Sequence, residues 1–137
     1  MRTVSVLVIL ILVLIPGLWA GRLFNTPGRP SGPFLLGPCT DNITLKGKDH
    51  LEFRWKPMRP GFIHYTEFRL YRGYDMRDQN LIFKKRTAWN DTSLSVSKEN
   101  FKSQETYTWV IEEVFLGGRK GDRSFCSFTV SSSGKAR

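Results

Sequence analysis

From Cys39 onward, apolar and polar residues alternate in short runs, separated by clusters of Gly, Pro, Asn and Asp. Leu51, Phe53 and Trp55 alternate with Glu52, Arg54 and Lys56 as far as Pro57, the pattern of a half-buried strand. Ahead of them, Ile43 and Leu45 alternate within Asn42–Leu45, and Lys46–Asp49 reads as a turn. Pro57-Met58-Arg59-Pro60-Gly61 is a loop by composition. A longer strand over His64–Tyr71 puts Thr66, Phe68 and Leu70 on one face and Tyr65, Glu67, Arg69 and Tyr71 on the other. Gly73–Asn80 is a turn before a short strand at Leu81–Phe83, and Thr92–Ser97 alternates through Leu94 and Val96. Thr106–Val114 aligns Tyr107, Trp109 and Ile111 on one face, and Phe125–Val130 closes the series after a Gly-rich hairpin. No stretch of a dozen residues in this part sustains a 3.6-residue period. Seven short strands so spaced predict an all-β, antiparallel, immunoglobulin-like sandwich.

The ends do not share this pattern. Val4–Ile15 is apolar except for Ser5, follows Arg2 and is stopped by Pro16-Gly17. One positive charge, about a dozen apolar residues and a helix breaker predict a signal peptide over residues 1–20, with an uncleaved N-terminal membrane anchor as the alternative. Either route exports the rest. Residues 21–38 hold four Pro and four Gly and read as an extended arm. Residues 131–137 read as a polar tail. The folded body is therefore residues 39–130.

The whole chain has 137 residues, with 21 Lys and Arg against 12 Asp and Glu, for a net charge of +9. That size excludes a multidomain enzyme, and two cysteines exclude a disulfide-dense miniature scaffold. The charge points to anionic partners. Export turns that expectation away from nucleic acid and toward surfaces outside the cytoplasm.

The body resembles a fibronectin type III domain over about residues 33–130. Trp55 stands at the end of the second strand before a Pro-rich loop, as the family's core tryptophan does. The Phe101-to-Tyr107 spacing is similar to the family's approach to its sixth strand, where a tyrosine hydroxyl ties down the corner. Tyr107-Thr108-Trp109-Val110-Ile111 then resembles that strand itself. With Phe68 and Leu70, these residues form the expected core. The departure is Glu67, which stands where alternation from Tyr65 asks for an apolar residue; either Tyr65 faces outward or a bulge re-phases the strand. The resemblance implies a spacer, adhesion or ligand-binding module, closest in kind to short exported bacterial proteins with one such domain, and it carries no chemistry.

The residues themselves give no case for an enzyme. No Gly-x-Ser-x-Gly elbow or phosphate-binding glycine loop is present. His50 and His64 read as solvated or packing residues, and with the cysteines they lack the paired spacing of a zinc site. Glu112 and Glu113, neighbours on a strand, point to opposite faces and cannot flank one substrate. No cofactor is expected. Cys39 and Cys126 form an even pair that favours a disulfide in an exported chain, two unpaired buried thiols being the alternative. Asn42 and Asn90 open glycosylation sequons, relevant in a eukaryotic source.

The basic residues say more. In the resembled fold the third and fourth strands share a sheet, so Tyr65, Arg69, Tyr71 and Arg72 line up with Lys84, Lys85 and Arg86 as a basic and aromatic stripe. The plainer reading of these residues is a solubilising face with cross-strand ion pairs to Glu67. The expectation is a non-catalytic exported module, secreted, periplasmic or at the cell envelope. It would contact an anionic polysaccharide or other envelope polymer, or an acidic protein surface. Nucleic acid is not an expected partner, and membrane contact is expected only through residues 1–20. A structural subunit of an envelope assembly and a small secreted hydrolase are the alternatives.

Overall fold

The structure is a computed structural model that describes residues 31–131. The leader, most of the arm and the last six residues lie outside the described residues. Eight strands form: β1 (Phe34–Gly37), β2 (Asn42–Ile43), β3 (His50–Lys56), β4 (Ile63–Arg72), β5 (Leu81–Ala88), β6 (Ser93–Ser97), β7 (Thr106–Phe115) and β8 (Ser124–Val130). They make two sheets, β1-β3-β6 and β2-β8-β7-β4-β5. Every pairing is antiparallel except β2 with β8.

Three boundaries differ from the sequence reading. Phe34–Gly37, inside the segment expected as a free arm, is an edge strand paired with β3, with Phe34 opposite Lys56. Gly37 is tolerated there because an edge strand needs only one row of hydrogen bonds, and Pro33 and Pro38 fall just outside the strand. The strand expected over Asn42–Leu45 is reduced to two residues on β8. The fourth major strand does not stop at Phe83; its register with β4 carries Lys84, Lys85 and Arg86 inside the sheet.

Inward-pointing aromatics fill the space between the sheets. Phe53 lies 5.0 Å from Phe68, 5.2 Å from Trp109 and 5.7 Å from Phe128, ring centre to ring centre and edge to face. Each buried ring of this size contributes about 1.5–3 kcal/mol relative to exposure. The Trp109 indole N–H donates to the Pro38 carbonyl at 2.7 Å, which draws the chain before Cys39 onto the core. Beside it, a disulfide joins Cys39 to Cys126 in β8. At the far corner the Tyr107 hydroxyl accepts the Lys102 N–H at 2.6 Å and donates to Glu105 at 3.0 Å.

Candidate binding face

The outer face of the five-stranded sheet is where the charged residues gather. In β4, Tyr65, Glu67, Arg69 and Tyr71 point outward; one register shift lies between Ile63 and Tyr65 and a second, against β5, between Leu70 and Tyr71, so Tyr65 faces out and the pairing between the two shifts is regular. Glu67 stands directly opposite Glu112 of β7, and both are buried. Two adjacent carboxylates on one face repel, and burial removes the water that would screen them. The fold resolves this with cations.

Arg69 pairs with Glu67 and reaches Glu112 at 3.7 Å, bridging the two. Lys84 lies 3.5 Å and Arg86 3.6 Å from Glu67, both from the neighbouring β5. On the other flank, Arg123 lies 2.8 Å and Lys120 3.5 Å from Glu112. The Arg86 guanidinium also covers the Tyr65 ring, 4.4 Å from its centre. Burial pushes the Glu67 carboxyl up, but the Arg69 and Lys84 charges and hydrogen bonds outweigh it and hold it below its ordinary 4.5. Glu112 behaves alike: burial raises it, and Arg123, Lys120 and Arg69 bring it below 4.5. Both are carboxylates at neutral pH. In these ion pairs five cations stand on two carboxylates, three more positive than negative charges.

The stripe read from the sequence is distributed as follows. Tyr65, Arg69, Tyr71, Lys84 and Arg86 share this face. Arg72 sits at the strand end and pairs with Glu105 at 3.2 Å. Lys85, opposite Phe68, lies on the other face of the sheet. Glu112, Lys120 and Arg123 complete the cluster from β7 and the hairpin after it; only the Glu67–Glu112 register could have revealed them, and register is not written in local sequence. Asn42 and Asn90 are exposed. His50 and His64 are exposed as well. Among the described residues, no three His, Cys, Asp or Glu side chains gather as a metal site.

A second group of polar side chains lies between the sheets. Glu113, on the inner face of β7, has no exposed surface. It stands opposite Thr66, which stands opposite Thr87. Burial drives the Glu113 carboxyl above 4.5, partly offset by the nearby Met58 amide. That amide does not close a full hydrogen bond, and the hydroxyls of Thr66 and Thr87 and the Trp55 indole N–H are also buried without hydrogen-bond partners.

The fold is that of fibronectin type III domains. A computationally redesigned β-sandwich protein matches with a TM-score of 0.56 at 23% identity, over 76% of this chain and 98% of that one. The FN1–FN3 domains of chicken CNTN1 match with a TM-score of 0.54 at 10% identity, over 76% of this chain and 33% of that one. At these identities the likeness shows the fold alone, and neither match supports the bacterial resemblance. No protein-family model matches the chain. No curated protein matches it in sequence.

Proposed function

We propose that the protein is a non-catalytic binding module that takes an anionic polymer or an acidic protein surface on the outer face of its five-stranded sheet, outside the cytoplasm. The observation that carries this reading is the cation array on Glu67 and Glu112. The carboxylates hold the cationic side chains in place, so the ordering cost is largely met before a ligand arrives. Lys84, Arg86, Lys120 and Arg123 remain about half exposed while so held, with side-chain exposures of 49%, 66%, 53% and 56%. Their charged heads are therefore open to a second anion. The disulfide belongs with an oxidising compartment, which supports export.

Binding of the full chain to a sulfated polysaccharide, measured across a salt series, tests the reading. Affinity should fall steeply with salt, with release of about three counterions if the surplus charge is engaged. Lys84→Glu with Arg86→Glu should abolish it. Binding that ignores salt, or that survives the double reversal, removes the sheet face as the site and leaves a spacer.

A further inference from the structure

Four large apolar side chains stand in solvent at one end of the sandwich, and the sheet face does not account for them. Phe62 is 65% exposed, Leu116 64%, Trp89 51% and Met58 50%. They come from three separate loops, Met58 sharing one with Phe62, and Phe62 and Trp89 each adjoin Leu116. The Leu116 N–H donates to the Phe62 carbonyl at 2.9 Å, tying two of the loops together. Trp89 and Leu116 line one shallow depression with Pro60, Gly61 and Ile63. Phe62 and Leu116 line the next, between Arg59 and Arg119. Leaving such side chains in water costs free energy that folding did not recover, and a contiguous group of them marks an interaction surface.

The charges around this tip are mainly positive. Apart from Lys120 and Arg123, which stand on Glu112 at the sheet flank, residues 56–62, 88–92 and 116–123 contain Lys56, Arg59 and Arg119 against Asp91 and Asp122. The Asp91 carboxylate is turned back to accept the Ala88 N–H at 2.9 Å. Trp, Phe and Leu flanked by Arg match the chemistry of a water–lipid boundary, where an aromatic body enters the acyl edge and cations meet phosphates.

The course of the chain adds an independent argument. β1 begins opposite the end of β3, one residue before the loop that carries Met58. Just upstream, Gly32 packs so closely that a Cβ there would collide with the Ser124 hydroxyl and the Asp122 carbonyl. The Ser124 hydroxyl donates to the Pro33 carbonyl at 2.6 Å, fixing that entry. The chain therefore enters the domain at the tip, so an uncleaved N-terminal anchor, the alternative to a signal peptide, would join the domain at this end. The other end leaves from the opposite pole, where Thr129 faces Thr106 and the Ser131 N–H donates to Ile43.

We propose that the loop tip of Met58, Phe62, Trp89 and Leu116 seats on an anionic lipid bilayer, its apolar side chains at the headgroup–acyl boundary and Arg59 and Arg119 on lipid phosphates. Trp89 makes the contact readable. Trp55 and Trp109 are buried, so Trp89 is the exposed tryptophan among the described residues. In the full chain carrying Trp19→Phe, the spectrum lost on adding Trp89→Phe isolates it, whatever residues 1–20 do on the same vesicles. With vesicles of phosphatidylcholine plus phosphatidylglycerol, Trp89 emission should shift to the blue and be quenched by brominated acyl chains. Arg59→Ala with Arg119→Ala should weaken that signal about thirty-fold, two basic groups being lost from an anionic surface. Lys84→Glu with Arg86→Glu should leave the blue shift in place, which separates the tip from the sheet face. Trp89 emission unmoved on vesicles overturns the proposal. A shift equally large on pure phosphatidylcholine overturns the anionic requirement.

Discussion

Replacing Glu113 with Gln should change the dependence of stability on pH more than stability itself. The carboxyl is fully buried on the inner face of β7, beside two hydroxyls that have no hydrogen-bond partner. Among the described residues no cation pairs with it. Burial raises its folded-state pKa above 4.5, so the folded protein holds a proton that the unfolded chain releases above about that pH. The contribution is therefore fully present below pH 4.5 and is lost as pH rises through the folded-state pKa. One proton of difference gives a slope of about 1.4 kcal/mol per pH unit across that window. Gln keeps the shape but has no carboxyl proton to lose.

Glu67 and Glu112 cannot imitate this effect, because their pKa values are lowered and their contribution is lost as pH falls below 4.5. Urea unfolding of wild type and Glu113→Gln, from pH 4 to pH 8, should give similar stabilities at the acid end. The variant should then gain on wild type by about 1.4 kcal/mol per pH unit up to the folded-state pKa. Two curves that stay parallel from pH 4.5 upward would show that the carboxyl is hydrated or paired, and the account of the buried cluster would fail.

Other perturbations read other parts of the fold. Replacing both Cys39 and Cys126 with Ala releases a link across 87 positions of sequence. The chain-entropy relation puts the loss at about 4–5 kcal/mol, a fall in melting midpoint of roughly 20 °C or more by calorimetry. Arg69→Leu should cost about 3 kcal/mol in denaturant unfolding, because it leaves Glu67 and Glu112 side by side with only their flanking cations. A cost below about 1 kcal/mol would mean that Lys84, Arg86, Lys120 and Arg123 suffice. Tyr107→Phe leaves the Lys102 N–H without its acceptor and should cost about 1 kcal/mol, with faster amide exchange at Lys102 by nuclear magnetic resonance.

The sandwich was legible where one side of a strand is buried and the other is wet. Leu51, Phe53 and Trp55 are all inside, as alternation requires, and so are Tyr107, Trp109 and Ile111. The same period continued two residues further marks Glu113 as inward, an acid in a core phase and the visible sign of the buried polar group. What local pattern could not show was anything set by distant pairing. Phe34–Gly37 is a four-residue run hemmed in by Pro33 and Pro38, and it is extended because β3 offers it a ladder. Alternation puts Glu67 on the outer face, but its burial depends on Glu112 and Arg69 meeting there. The tip was hidden for the same reason: Met58, Phe62, Trp89 and Leu116 lie in segments of loop composition, far apart in sequence, and only the topology brings them together.

The two proposed surfaces make compatible demands on one small domain. The tip lies at the end of the strands, whereas the cation array lies on the flank of the sheet, so the two surfaces point in roughly perpendicular directions. A domain seated on a bilayer through Phe62, Trp89 and Leu116 would hold its strands upright, with Lys84, Arg86 and Arg123 facing sideways along the surface. Occupying one surface then leaves the other open. Lys84, Arg86, Lys120 and Arg123 stand on Glu67 and Glu112 at the flank, and Arg59 and Arg119 line the depression of Phe62 and Leu116 at the tip. Raising salt should therefore release a polyanion from the flank at concentrations where apolar burial still retains the tip, since screening weakens only the electrostatic part of the lipid contact. Simultaneous loss of both contacts at one salt concentration would mean that a single basic surface serves both.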